Sequence, residues 1–239
     1  AAARGPMSAP FDGVRSRAER LPAELRAELV TPALLIDLDA ARRNVARVVE
    51  LCGGDPGRWR PHLKTTKSPA IWRLLLEAGV RHFKVSTPRE LEVLLGLLRE
   101  AEIEGADVLF AQGATPQACR AVGDLAAAHP ETGVAQLVEA PEQLAWLCEG
   151  VGAFVDLDPG GRRTGLPLGD FGTAVELALA LGERLRGLHA YEGHLHGDFP
   201  ARGERIDAVF AALRDLLREL DSVGCAVAEV VTSGTPAFR

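Results

Sequence analysis

Strand-length apolar runs recur eight times along this chain, at residues 33–38, 58–63, 81–86, 107–111, 133–138, 152–157, 185–191 and 227–232, with helical patterns between them. Repeated strand, helix, strand order demands parallel strands joined by crossovers, because a tight hairpin can only return the chain antiparallel. Two architectures meet the demand: a closed (β/α)8 barrel of the TIM type and an open doubly wound α/β sheet. The helix starts are physically marked. In Thr87-Pro88-Arg89-Glu90 a threonine cap, a proline at the first helical position and a glutamate three residues on spell a capping box, and Thr115-Pro116 and Ser68-Pro69 repeat the device. After Asp39, the residues Ala41, Val45, Val48, Val49 and Cys52 fall on one helical face and Gly53 ends the pattern, so this helix packs a stripe on a sheet.

The barrel is favoured because residues able to do chemistry end several different strands. A dinucleotide fold would concentrate its signal in one early glycine-rich turn after a strand, and Gly53-Gly54-Asp55-Pro56-Gly57 follows a helix instead. With 239 residues, 47% of them hydrophobic, the chain suits one large domain over residues 31–239 after a lead-in over residues 1–30 that carries a short helix near 22–29. A net charge of -6, with basic residues scattered among acidic ones, argues against nucleic acid or an anionic membrane as partner and leaves small-molecule chemistry. Cys52, Cys119, Cys148 and Cys225 show no paired spacing, which reads as reduced thiols in a cytoplasmic protein. No apolar run reaches membrane-spanning length, and the start lacks an apolar signal core.

Four segments carry the chemistry. In Trp59-Arg60-Pro61-His62-Leu63-Lys64-Thr65-Thr66-Lys67-Ser68-Pro69 an extended stretch ends at an amine and a helix begins almost at once. An amine at a barrel rim, shielded from water, can lose its proton and attack a carbonyl, which makes Lys64 the candidate Schiff-base lysine; the plainer alternative is a solvated lysine beside a turn. Asp156-Leu157-Asp158-Pro159-Gly160-Gly161-Arg162-Arg163-Thr164-Gly165 can fold tightly and aim a guanidinium inward. Tyr191, the one tyrosine, shares its strand face with His189 and Gly193, where a ring can stack on a planar ligand or move a proton. Thr232-Ser233-Gly234-Thr235-Pro236 has the hydroxyls, glycine and backbone amides of an anion site. His194 and His196 read as exposed loop histidines, and no metal ligand is assigned. An amine, a cation, an aromatic face and a phosphate cradle together suit pyridoxal 5'-phosphate.

With these residues assembled, the chain resembles the fold-type III pyridoxal-phosphate enzymes of the alanine racemase N-terminal superfamily, and within it the D-threonine aldolase and D-serine dehydratase branch. The likeness runs from Thr31-Pro32-Ala33-Leu34 to the C-terminus and is most specific at Arg60-Pro61-His62-Leu63-Lys64-Thr65-Thr66-Lys67. It implies that Lys64 carries the cofactor as a Schiff base and that Arg163 contacts its phenolic oxygen. Tyr191 would lie against the ring as a second catalytic residue, His62 joins the cofactor contacts, and Ser233, Gly234 and Thr235 hold the phosphate. The activity implied is a lyase acting on D-configured β-hydroxy amino acids, with a D-amino acid as small-molecule partner and a homodimer left open. A racemase of the same fold and a non-catalytic pyridoxal-phosphate carrier are the alternatives.

Two departures accompany the resemblance. The branch usually has histidine where this chain has Thr66. Family members also continue into a C-terminal β domain that carries further cofactor contacts and divalent-metal ligands, and the sequence stops at Arg239. In the family the strand matching 33–38 pairs with that β domain. The expectation is therefore seven strands in the barrel, truncated before the closing strand, with an unpaired edge.

Overall fold

The computed structural model describes residues 21–198, 200–232, 234 and 237. Two compact units divide the chain, Ala1–Leu38 and Asp39–Arg239. In the first, one short helix, α1 (Ala23–Glu28), stands where the sequence pattern places one. The strand expected at 33–38 does not form, and helix α2 (Leu38–Leu51) already starts at its last residue. A strand exists through its ladder partner, and none of the described strands pairs with that segment.

The second unit is a parallel α/β sheet. Its strands are β1 (His82–Val85), β2 (Asp107–Phe110), β3 (Gly133–Val138), β4 (Gly152–Asp158), β5 (Leu166–Pro167), β6 (Leu185–Ala190) and β7 (Glu229–Val231). They follow the order β1-β2-β3-β4-β6-β7, every pair parallel, with the two-residue β5 attached to β4. Six of the eight expected strands are therefore present. The run at 58–63 shrinks to one parallel bridge, His62 with Lys84, set between 3-10 turns at Pro56–Arg58 and Leu63–Thr65. Pro61 explains part of the loss: it has no N–H to give a ladder, although its carbonyl accepts from the Lys84 N–H at 2.9 Å.

Helices α3 (Pro69–Glu77), α4 (Pro88–Glu100), α5 (Pro116–Ala127), α6 (Phe171–Leu181) and α7 (Ala201–Ser222) connect the strands. Thr87 caps α4 by accepting from the Glu90 N–H at 3.1 Å, and Thr115 caps α5 through the Ala118 N–H at 3.3 Å. Two capping details differ from expectation. The Glu90 carboxylate reaches back to the N–H and hydroxyl of Ser86 instead of the Thr87 amide, and Ser68 makes no side-chain cap at all, leaving Pro69 to start α3 by its fixed φ. Helix α2 buries Val45, with Cys52 just beyond its end, and stops at Gly53, whose φ of 76° is the left-handed cap.

The two faces of the sheet bury different things. Outward-facing Phe83, Val85, Val108, Val134, Val155 and Leu188 join the helices in the main core, while Leu109, Ala135, Leu137, Phe154 and Val231 form a smaller cluster on the inner face. The inner face also shows that the sheet curls. From β1 to β6 there are four strand spacings, about 19 Å on a flat sheet, beyond the reach of two side chains. Yet Lys84 on β1 touches His189 on β6 at 2.9 Å, and Arg60, beside β1, touches Glu229 on β7 at 2.6 Å. The strands thus form an open, curled half-barrel, which excludes the flat doubly wound alternative.

Candidate active site

Arg60, His62, Lys64, Lys84, Asp156, Arg163, His189, Tyr191 and Gly234 all line one cleft of about 1300 Å3 within the second unit. Its size exceeds that of an ordinary cofactor pocket. The 3-10 turn at Leu63–Thr65 presents Lys64, and that turn is fixed from below by buried Leu63 and from the side by Thr66. The Thr66 hydroxyl donates to the Leu63 carbonyl at 3.3 Å and accepts from the Trp72 indole N–H at 3.1 Å, tying the turn to α3. Among the described residues no hydrogen bond or ion pair holds the Lys64 amine. Lys64 is exposed, so the shielding expected of it is incomplete; the desolvation that remains, then the positive charge of Arg163, lowers its pKa against an opposing pull from Glu90.

The Arg163 loop is held tightly. Asp158 accepts from the Gly160 N–H at 2.9 Å and the Arg162 N–H at 2.8 Å, Glu139 accepts from the Gly165 N–H, and Arg162 takes a left-handed φ of 51°. Gly165 has φ of 102°, and a Cβ there would lie 2.6 Å from the Leu157 carbonyl carbon, so only glycine fits. The loop sets the Arg163 guanidinium 5.7 Å from the centre of the Tyr191 ring, in cation–π range. Tyr191 lies at the rim, 45% exposed, with its ring over Gly193 and Gly234. A Cβ on Gly193 would overlap that ring, and one on Gly234 would come within 2.8 Å of it. The Gly234 N–H donates at 3.2 Å to the carboxylate of Glu192, which is fully buried. Ser233 and Thr235 lie outside the described residues.

His62 sits beside the amine with its Nδ1 buried and unpartnered among the described residues. Burial, and then the charges of Lys64 and Lys84, push its pKa down to about 3, so it is neutral near pH 7. His194 packs against the Gly160–Gly161 turn, and His196 is exposed. Among the described residues no group of three or more His, Cys, Asp or Glu is placed to hold a metal ion.

One array was not read from the sequence. Lys84, His189 and Asp156 stand on the inner face of β1, β6 and β4, and Asp156 is paired with His189 in the ladder register. The Lys84 amine lies 2.9 Å from His189 Nε2, and His189 Nδ1 lies 2.6 Å from Asp156 Oδ1. A carboxylate only accepts, so Nδ1 carries the imidazole proton and Nε2 accepts from Lys84. Burial, then Lys84, holds the His189 pKa below its ordinary value, which agrees with a neutral ring. Burial also lowers Lys84 to about 8, with Asp156 opposing and Arg60 and Lys64 assisting. The available signal was strand phase: in His82-Phe83-Lys84-Val85 the lysine falls on the face opposite buried Phe83 and Val85, so it points into the barrel.

The family of alanine racemase N-terminal domains matches residues 36–238. The chain belongs to that family. As an alanine racemase N-terminal domain it is 27% identical to the 3-hydroxy-D-aspartate aldolase of Paracoccus denitrificans, over 91% of this chain and 58% of that protein. It is 29% identical to the D-threo-3-hydroxyaspartate dehydratase of Delftia sp., over 82% of this chain and 50% of that protein. Its fold superposes on the crystal structure of D-threonine aldolase from Filomicrobium marinum with a TM-score of 0.77 at 26% identity, covering 89% of this chain and 58% of the other. The domain thus spans between half and three-fifths of the length of these relatives. Pyridoxal phosphate is the cofactor expected for the family.

Proposed function

We propose that this chain is the cofactor-binding barrel of a pyridoxal-phosphate lyase that acts on D-configured β-hydroxy amino acids, of the aldolase or dehydratase kind that its relatives are named for. The observation that carries the reading is the convergence of Lys64, Arg163, Tyr191 and Gly234 on one cleft, with the Lys64 amine unpaired among the described residues and its pKa lowered. The cleft suits the cofactor on its own chemistry. The Gly234 N–H already donates to a carboxyl oxygen, that of Glu192, and the neutral His62 keeps an orphaned ring nitrogen beside the amine. Four free cysteines support a cytoplasmic setting.

Pyridoxal phosphate, when bound, supplies an aldehyde for an amine and a ring that accepts the electrons freed at the α-carbon. The protein's residues do the rest. Lys64 offers the amine, and its lowered pKa raises the share of the neutral, nucleophilic form near pH 7. Arg163 provides a fixed positive charge that would meet the cofactor's phenolic oxygen, and Tyr191 provides the flat face beside it. Gly234, with Ser233 and Thr235, would hold the phosphate, exchanging the Glu192 carboxylate for another anionic acceptor.

The test begins with a cofactor titration of the wild type. Absorbance near the visible edge should appear, and borohydride reduction should fix the cofactor mass on the peptide that contains Lys64. Lys64→Ala should retain no cofactor after reduction and lose activity by more than about 1000-fold. Offered both enantiomers of a β-hydroxy amino acid, the protein should consume the D form, giving glycine and an aldehyde or else a keto acid. Consumption of neither form by the full-length protein removes the lyase reading, and full retention of cofactor by Lys64→Ala removes Lys64.

A further inference from the structure

The proposed use of the cleft leaves Lys84 without a role, although it is the more deeply buried of the cleft's two described lysines. A buried ammonium is costly and is retained where it is paired or used. Its one hydrogen-bond partner among the described residues is the neutral His189 ring, and a neutral acceptor leaves the charge uncompensated at contact distance. Asp156 lies one imidazole further away and fixes the ring's tautomer. Such an array holds an amine in place without neutralising it, the arrangement suited to a group that must gain and lose a proton.

We propose that Lys84 is a second functional amine of the cleft, a proton acceptor for the β-hydroxyl of the amino-acid substrate, with His189 and Asp156 as its positioning residues. The inference rests on the lyase reading above and deepens it by choosing carbon–carbon cleavage, because in dehydration the same hydroxyl would have to gain a proton in order to leave. In the step assigned to Lys84, the hydroxyl O–H bond breaks and a new N–H bond forms on the lysine nitrogen, while the O–H electron pair becomes the second bond of the aldehyde carbonyl and the substrate's Cα–Cβ bond breaks. The amine keeps one N–H directed at His189 Nε2 throughout, so the acceptor lone pair points away from the ring. The lysine then gives this proton to solvent entering the open cleft, which restores the neutral amine.

The charged groups around Lys84 make the neutral amine accessible near neutral pH. From the segment before β1, Arg60, Lys64 and the ring of His62 face it; from β4 comes Asp156; from β6 and the loop beyond it come His189 and Glu192. Burial and the two cations outweigh the two carboxylates, so the amine loses its proton near pH 8. Activity should therefore rise with pH to a plateau above about 8, since the neutral amine is the working form.

Two readouts test this in the full-length protein. The first needs neither turnover nor cofactor: the rate of reductive methylation of Lys84, followed by peptide mass spectrometry across pH 6–11, should reach half its maximum near pH 8, while exposed lysines stay protonated to about pH 10. The second uses Lys84→Met, which removes the amine, and Lys84→Arg, which keeps the charge but cannot give up its proton. Both should still capture cofactor at Lys64, lose at least about 100-fold in kcat with KM within threefold, and lose the rise in the pH profile. Wild-type kcat in Lys84→Arg, or methylation of Lys84 with the profile of an exposed lysine, overturns the inference. Absence of turnover in wild type overturns the lyase reading instead, whatever Lys84 does.

Discussion

At the N-terminal ends of the strands Arg60 crosses the half-barrel to Glu229, and nearer the rim Lys84 crosses it to His189. Both are cations on the same side of the lumen, and both are buried. Arg60 is saturated: it forks onto the Glu229 carboxylate at 2.8 and 2.6 Å, pairs with Asp107 at 2.8 Å, donates to the Phe83 and Asp107 carbonyls, and lies 5.5 Å from the Phe154 ring centre. Burial works against its charge, but the Glu229 hydrogen bond and the charges of Asp107 and Glu229 outweigh it and raise its pKa. Lys84 has one neutral contact and a pKa far below the ordinary lysine value. Charge burial is thus used twice in one lumen, as a permanent clasp below and as a titratable group above. What separates the two is the number and sign of the partners.

That comparison makes a steep prediction. Arg60→Met leaves Glu229 facing an apolar side chain and Asp107 with Arg186 alone, 2.7 Å away, and should cost about 3 kcal/mol, read from urea unfolding. Lys84→Met removes a cation with no counter-ion in contact, whose burial is unfavourable below about pH 8, and should leave the protein at pH 7 at least as stable as wild type. Equal losses from the two substitutions would erase the distinction between clasp and functional amine. A smaller effect sharpens the same point through the backbone. At Gly187 a Cβ would overlap the Glu229 carbonyl oxygen and come within 2.8 Å of the Phe154 ring, so β6 and β7 must part to admit it. Gly187→Ala should cost roughly 1–3 kcal/mol while leaving cofactor capture at Lys64 intact, because the strain lands on the clasp and spares the rim.

The sequence exposed what depends on local pattern and concealed what depends on distance along the chain. Strand β3 lies at the expected residues 133–138, and β2, β4 and β6 within one residue of theirs, because buried parallel strands are apolar throughout and bounded by capped helices. The run at 58–63 misled because its apolar and basic residues look strand-like, whereas Pro61 and the turn presenting Lys64 leave one bridge. Arg163, Tyr191 and Gly234 were legible as cleft residues because each follows a strand at the rim, and Lys64 was singled out as the end of an extended run although a 3-10 turn presents it. The Arg60 clasp joins residues 169 apart and the Lys84 contact residues 105 apart, so no window of sequence contains either. Only the curl of the sheet brings them together.

Protonation offers the gentlest way to separate the two layers. The Lys84 pKa in the folded chain is about 8 against an ordinary 10.5, so between those values the unfolded chain holds more protons than the folded one. Stability from this group therefore rises with pH across that window and is lost again as pH falls through it, the penalty of a buried charged amine being complete below about 8. His62 follows the same sign lower down: its folded value of about 3 against 6.5 makes stability fall as pH drops from 6.5 toward 3. Arg60 keeps its charge at every pH between these windows and contributes no such slope. Unfolding midpoints of wild type and Lys84→Met, compared at pH 7, 8, 9 and 10, isolate the upper layer, because background titrations cancel in the difference. The gap should be flat to about pH 8 and then shift in favour of wild type; a gap flat to pH 10 would mean that the folded protein leaves this amine as protonated as water does, and the contrast between the layers would reduce to geometry.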